Sequence, residues 1–227
     1  MSYLIVEGRP WCKDLTSNLK AKLDCEFFVI DSKKELNLDY LNDINPRFIF
    51  FVHWSYIIPK SIYENFECVV FHMTDLPYGR GGSPLQNLIV RGHKNTMISA
   101  LQCVEEIDAG PVYLKRKLSL EGKAQEIYIR ANQVIEKMIV EILDTLPKPK
   151  LQTGDVVKFN RRKPEDGNWG DVESLDKVYD YIRMLDAEGY PPAFIRIGKY
   201  RLEFSNALKG DDAVNARVKI IKEKGHE

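Results

Sequence analysis

The sequence predicts an α/β fold: a mixed, mostly parallel sheet covered by helices, followed by a small C-terminal α+β subdomain. Two observations carry this. Short, nearly continuous apolar runs recur through the first half and alternate with helical patterns, which is how strands buried on both faces read. The pattern then breaks at "TLPKPKLQTGD" (145–155), where two prolines and a glycine mark a boundary. The expected division is 1–150 for the larger domain and 151–227 for the subdomain.

Taken in order, "YLIV" (3–6) reads as the first strand and 11–23 as a helix with Leu15, Leu19 and Leu23 on one face. "CEFFVI" (25–30) is the second strand, and a short helix covers 34–43. "RFIFFV" (47–52), "ECVVF" (67–71), "TMISALQCV" (96–104) and "GPVYLKRKL" (110–118) follow as strands, the last two close enough to predict an antiparallel pair. "SLEGKAQEIYIRANQVIEKMIVEIL" is the clearest helix, with apolar residues at 127, 131, 134, 135, 138, 139 and 142. Past the boundary come a helix over 173–187 and the strand-like "AFIRIGKYRLEFSNAL" (193–208), with Gly198 at a hairpin turn.

Lys+Arg and Asp+Glu are each 33 in 227 residues, a net charge of zero. Nucleic-acid-binding chains usually show a basic excess, so this balance weighs against tRNA or DNA as a partner. The four cysteines (Cys12, Cys25, Cys68, Cys103) have no C-x-x-C spacing and read as reduced core thiols rather than disulfides or a metal site. "MSYLIVEGRP" has no basic n-region, and no run nears the roughly 18 apolar residues of a membrane span, so a cytoplasmic chain is expected.

The stretch "VVFHMTDLPYGRGGSPLQ" (69–86) carries the chemistry. His72 stands where a strand ends, and in open α/β sheets ligands bind at the carboxyl ends of strands. An imidazole there is placed to exchange a proton with a reacting group. Pro77 and Pro84 stiffen the loop, while Gly79, Gly81 and Gly82 let backbone approach a ligand. Ser83 is the expected N-cap of a helix over 84–91, with Pro84 at its first position. Neither G-x-G-x-x-G nor G-x-x-x-x-G-K-[ST] is present, so no nucleotide P-loop is expected. A second element, "EEIDAGPVY" (105–113), puts Asp108 in a turn between strands, where Asp-x-Gly also has ordinary local reasons. His93 and His226 read as solvated surface histidines.

Together these residues resemble the 10-formyltetrahydrofolate-dependent formyltransferase family. In that family a strand ends in an Asn-x-His-x-Ser-Leu-Leu-Pro-type run, a Tyr/Arg/Gly loop follows, and an Asp-x-Gly turn comes about 36 residues after the histidine. Here His72, Leu76, Pro77, Arg80, Gly81 and Pro84 match, and Asp108 falls 108 − 72 = 36 positions on. The resemblance covers much of residues 1–145. It implies a Rossmann-like formyltransferase fold, 10-formyltetrahydrofolate as formyl donor, and His72, Asp108 and Thr74 as catalytic residues. Folate contacts are expected around 85–91 and 101–108, specifically at Leu85, Gln86, Val104, Glu106 and Ile107. The chain departs from the family at Val70, where the family has its catalytic asparagine; Thr74, His53 and Asn87 are the candidates to supply that polar group.

For the acceptor, the loop and the segments "RRKPEDG" and "YPPAF" resemble the sugar-nucleotide N-formyltransferase branch. That resemblance implies a UDP- or dTDP-linked 4-amino-4,6-dideoxyhexose, such as the UDP-linked altrose precursor of a pseudaminic-acid-type pathway, and no nucleic acid. Substrate contacts are then expected from His53, Trp54, Tyr78, Gly79, Arg80, Gly81, Arg161, Arg162, Tyr190 and Phe194, with a homodimer as the family habit. Methionyl-tRNA formyl transfer, formyl-folate hydrolysis and a non-catalytic binding role are the alternatives.

Overall fold

The structure, a computed structural model, describes residues 1–223, so His226 lies outside the described residues. The chain runs β1 (Ser2–Glu7), α1 (Leu15–Lys22), β2 (Glu26–Ile30), α2 (Leu38–Ile44), β3 (Phe48–Val52), α3 (Lys60–Tyr63) and β4 (Cys68–His72). It continues through β5 (Tyr78–Gly81), α4 (Pro84–Val90), β6 (Asn95–Gln102), β7 (Val112–Ser119) and α5 (Ala124–Thr145). The rest is β8 (Val157–Phe159), α6 (Leu175–Arg183), β9 (Ala193–Ile197), β10 (Tyr200–Lys209) and β11 (Val214–Lys222).

Six strands form one sheet in the order β2-β1-β3-β4-β6-β7. β2, β1, β3 and β4 are parallel, and β6 runs antiparallel to β4. The α/β expectation with a mixed, mostly parallel sheet is what is found. Every residue of β3 is buried, as its uninterrupted "FIFFV" requires of a strand covered on both faces. On α5, positions 127, 131, 135, 138, 139 and 142 are buried and Val134 half-buried, so the helical apolar stripe faces the core.

Two compact units share the chain. The first comprises 1–81, 96–118 and 128–159; the second comprises 82–95, 119–127 and the described part of 160–227. The chain thus passes between units more than once, and a single cut at 150/151 does not describe them. The reason lies in contacts within the second unit. Gln86 Nε2 donates to Met184 O at 3.2 Å, and Arg183 Nη1 donates to the Leu120 and Gly122 carbonyls at 2.6 and 3.0 Å. Residues 82–95 and 119–127 are therefore tied to the C-terminal segment. That unit also holds the three-stranded antiparallel sheet β11-β10-β9, whose β9–β10 hairpin turns at Gly198 (φ +54°).

Three strands escape an apolar-periodicity reading. β5 and β8 are short, glycine-bearing or half-exposed, and pair in parallel as a separate two-stranded ribbon. β11 alternates charged and apolar residues at an edge and is held by its partner β10 rather than by burial. The expected helix 11–23 opens instead as a 3-10 turn at Pro10–Cys12, with the α-helix starting at Leu15.

Candidate functional site

β4 ends on His72 at the carboxyl edge of the parallel strands. His72 is 7% exposed and both ring nitrogens have partners. Nε2 lies 2.8 Å from Gly79 O; a carbonyl only accepts, so this nitrogen carries a proton. Nδ1 lies 3.5 Å from Asp108 Oδ1, an ion pair when the ring is charged. Thr74, fully buried, donates its hydroxyl to the same Gly79 oxygen at 3.4 Å. The loop between them passes through a cis Leu76–Pro77 bond.

Asp108 sits in left-handed backbone (φ +55°), which Asp tolerates better than most residues. Its other oxygen, Oδ2, accepts from Gly81 N at 2.9 Å. Gly81 itself has φ +107°, and a Cβ there would lie 2.5 Å from the Phe159 carbonyl oxygen, so the β5–β8 ribbon needs glycine at this point. The Asp-x-Gly spacing has its own cause: a Cβ on Gly110 would come within 1.8 Å of Gln102 O. Glycine lets the turn fold flat against the end of β6.

Val70 faces the apolar cluster of Leu4, Val6, Ile49, Phe51 and Cys68, with no polar atom in the place of the family's asparagine. Of the three candidates to replace it, Thr74 alone shares a partner with His72. Asn87 belongs to the second unit, where Nδ2 donates to Gly82 O and Asn160 O, both at 2.9 Å. His53 is turned by a left-handed backbone (φ +49°) and bonds through Nε2 to Asn132 Oδ1 on α5 at 2.9 Å. Asn132 in turn donates to Trp11 O at 2.6 Å.

Glu106 and Ile107 are exposed, Val104 is half-buried, and Glu106 pairs with Arg80 (3.6 Å) and Lys158 (3.4 Å). Tyr78 stands edge-on to Phe159, and Trp54 packs on Phe51 and Tyr56. Arg80 is fixed on Gln152 rather than left free. In the second unit, Leu85 and Gln86 are buried and Tyr190 is half-buried. Arg161 is exposed, while Arg162 lies over the Tyr181 ring at 5.6 Å and donates its backbone N–H to Ser83 Oγ at 3.0 Å. Ser83 therefore stands at the N-cap position without capping: its oxygen serves Arg162. Phe194 is a correction. It is 0% exposed, with the Arg201 and Arg196 guanidiniums over its ring at 3.7 and 4.6 Å, so it is core rather than a stacking platform for a substrate. His93 is half-buried rather than fully solvated.

Sequence reasoning missed Glu7, Asn132 and Gln152. Burial, with Asp31 alongside, raises Glu7 from 4.5 to about 7, and burial lowers His53 from 6.5 to about 4 despite its bond to Asn132. The linkage signs oppose. The raised Glu7 contributes stability that is full below 4.5 and lost as pH rises through about 7; the depressed His53 contributes stability present above 6.5 and lost as pH falls through about 4. Glu7→Gln should therefore unmask melting temperatures that climb with pH over His53's window, and His53→Gln should unmask ones that fall over Glu7's. Melts across pH 4 to 8 check this, and parallel profiles in both variants would refute it.

Among the described residues no group of three or more His, Cys, Asp or Glu converges to hold a metal ion, and no helix is long and apolar enough to cross a membrane.

Comparison with known proteins gives this geometry a family. Residues 164–221 match the family model of the methionyl-tRNA formyltransferase C-terminal domain. The solved methionyl-tRNA formyltransferase from Clostridium thermocellum is 49% identical, superposes with a TM-score of 0.95, and is covered over 99% of its length by 98% of this chain. The methionyl-tRNA formyltransferase of Thermodesulfovibrio yellowstonii is 28% identical over 193 residues, 81% of this chain and 62% of that protein. The chain spans about three fifths of the length of the first curated relatives it matches. A sugar N-formyltransferase from Shewanella is 15% identical with a TM-score of 0.63, covering 100% of this chain and 99% of that one.

These findings overturn the acceptor expected from sequence. The amino-sugar nucleotide and the carbohydrate role rested on likeness to the sugar branch, which shares only the fold at this identity, and the exclusion of nucleic acid rested on that likeness together with the zero net charge. The very segment read as a sugar signature, from Pro164 on, matches the methionyl-tRNA formyltransferase C-terminal model. The zero net charge misled because it averages over the whole chain. The formyl donor of the family is 10-formyltetrahydrofolate, as the resemblance implied. With the His72–Asp108 pair, the Asp-x-Gly turn and these relatives together, the chain belongs to the formyltransferase family, as a methionyl-tRNA formyltransferase-like member.

Proposed function

We propose that this protein transfers the formyl group of 10-formyltetrahydrofolate to the amino group of methionyl-tRNA. The observation that carries the reading is the 49% identity, end to end, with the Clostridium thermocellum protein of that name. Charge placement agrees. Lys199, in the turn before β10, and Arg217, Lys219 and Lys222, on β11, are all exposed, with Arg217 and Lys219 on the same side of the strand, cations of the kind phosphate backbones recruit.

The neutral amine attacks the formyl carbon, the carbonyl oxygen becomes an oxyanion, and the bond from carbon to N10 of the folate breaks. One proton leaves the attacking nitrogen and one arrives at N10, so the exchange balances without a further reagent. His72 and Asp108 are the pair that takes and returns that proton. The His72 Nε2–H and the Thr74 hydroxyl, which now share Gly79 O, are the donors that the oxyanion would take over. Glu106, Ile107 and Val104 lie on the same turn as Asp108 and are the residues expected to meet the folate. The whole scheme works from a cytoplasmic location, where folate and charged tRNA are both supplied.

The test is dependence on the acceptor. Tetrahydrofolate should appear from 10-formyltetrahydrofolate only when methionyl-tRNA is added, and release of formate at the same rate without tRNA would mark a hydrolase instead.

A further inference from the structure

The Asp108 turn is held by a residue that no motif marks. Gln152, between α5 and β8, makes four side-chain hydrogen bonds. Its Oε1 accepts from Arg80 Nε (3.1 Å) and Nη2 (2.8 Å). Its Nε2 donates to Asp108 O and Gly110 O, both at 2.8 Å. Every hydrogen and lone pair of the amide is therefore used, and its orientation is unambiguous: the guanidinium can only donate and the two carbonyls can only accept.

These bonds close a ring. Arg80 reaches the turn through Gln152, while the next residue, Gly81, reaches it directly through its N–H on Asp108 Oδ2. Two neighbouring positions of β5 thus grip the main chain and the side chain of the same aspartate. With Oδ2 held on Gly81 and the backbone held at φ +55°, Oδ1 has one place to be, 3.5 Å from His72 Nδ1. Left-handed backbone is costly for a non-glycine residue, and it persists where surrounding bonds over-determine it. Gln152 supplies two of those bonds.

We propose that Gln152 is a positioning residue for formyl transfer, holding the Asp108–Gly110 turn so that the Asp108 carboxylate stays on His72. This rests on His72 and Asp108 being the reacting pair. It also assigns Arg80 to the same device: its guanidinium orients the Gln152 amide.

Two variants of the full chain test it. Gln152→Met removes both donations and the acceptor without adding charge. Gln152→Glu keeps the acceptor for Arg80 but sets carboxylate oxygens against the Asp108 and Gly110 carbonyls. Both should fold, with kcat for methionyl-tRNA formylation down about 100-fold, the loss expected when a reacting group is misplaced by about 1 Å. KM for either substrate should stay within about twofold, since Gln152 touches the reacting pair only through the turn. The pH dependence of kcat should also move in Gln152→Met, because the His72–Asp108 contact is loosened; a role in stability alone would leave that profile in place. A folded variant with wild-type kcat and pH profile, or a loss confined to KM, overturns the proposal. Asp108→Asn run alongside separates the two levels: if it too is fully active, the reacting pair is wrong, and if it is inactive while Gln152→Glu is not, only the role of Gln152 fails.

Discussion

Asp108→Asn should lower kcat for formyl transfer by about 10²- to 10⁴-fold, the range lost when a proton-transfer group is removed, while the protein stays folded. The asparagine carbonyl can still accept from Gly81 N, so the turn keeps its anchor. Its amide nitrogen would then face His72 Nδ1, where a carboxylate oxygen now lies at 3.5 Å. A donor in that place requires a lone pair on Nδ1, and the Nε2 proton stays on Gly79 O. The ring is thereby fixed in its neutral form and can no longer gain and return a proton. His72→Ala should lose as much by a different route, leaving Gly79 O with only the longer Thr74 contact. Thermal melts together with steady-state formylation assays decide the matter: a folded variant of either kind with wild-type turnover would remove the pair from the mechanism.

Gly110→Ala should have the second largest effect, although it adds a single methyl two residues from Asp108. That carbon would lie 1.8 Å from Gln102 O, far inside contact distance, and the obstacle is backbone rather than a movable side chain. Gln102 is also held, because its N–H donates to Pro111 O at 2.8 Å. The turn must therefore lift off the end of β6, taking with it the Gly110 and Asp108 carbonyls that Gln152 grips. Overpacking of this kind costs roughly 1–3 kcal/mol of stability. The displaced carboxylate should cost turnover about 100-fold or more, as a misplacement of about 1 Å does. Chemical denaturation reads the first and the formylation assay the second. Wild-type values in both would mean that the turn is softer than its packing implies.

These two sites also show what a linear sequence discloses. His72 at a strand end and Asp108 in an Asp-x-Gly turn were legible, because each combines a titratable group with backbone punctuation at a fixed spacing. The parallel strands were legible because β3 and its neighbours are apolar on both faces. Gln152 was not, since a lone glutamine beside a Pro/Gly stretch has no periodicity, and its role exists only when three distant segments meet. Phe194 was misread for a related reason. "YPPAF" looks like an aromatic platform, but whether a ring faces ligand or core depends on Arg196 and Arg201, which arrive from β9 and β10. The interleaving of 82–95 and 119–127 with the C-terminal residues was equally invisible, being set by bonds such as Arg183 to Leu120 O rather than by composition. Zero net charge weighed against nucleic acid in the sequence, but as a whole-chain average it says nothing about where exposed cations such as Arg217 and Lys219 lie.

Val70 remains the chain's main departure from the family pattern, and it sharpens the decisive experiment. The most direct measurement is a single-turnover reaction of the purified protein with formyl-labelled 10-formyltetrahydrofolate and methionyl-tRNA. Label is expected on the methionine α-amino group of the tRNA, in wild type but not in Asp108→Asn. Label that stays on folate or leaves only as formate, with the methionyl amine unmodified, would contradict the proposed transfer.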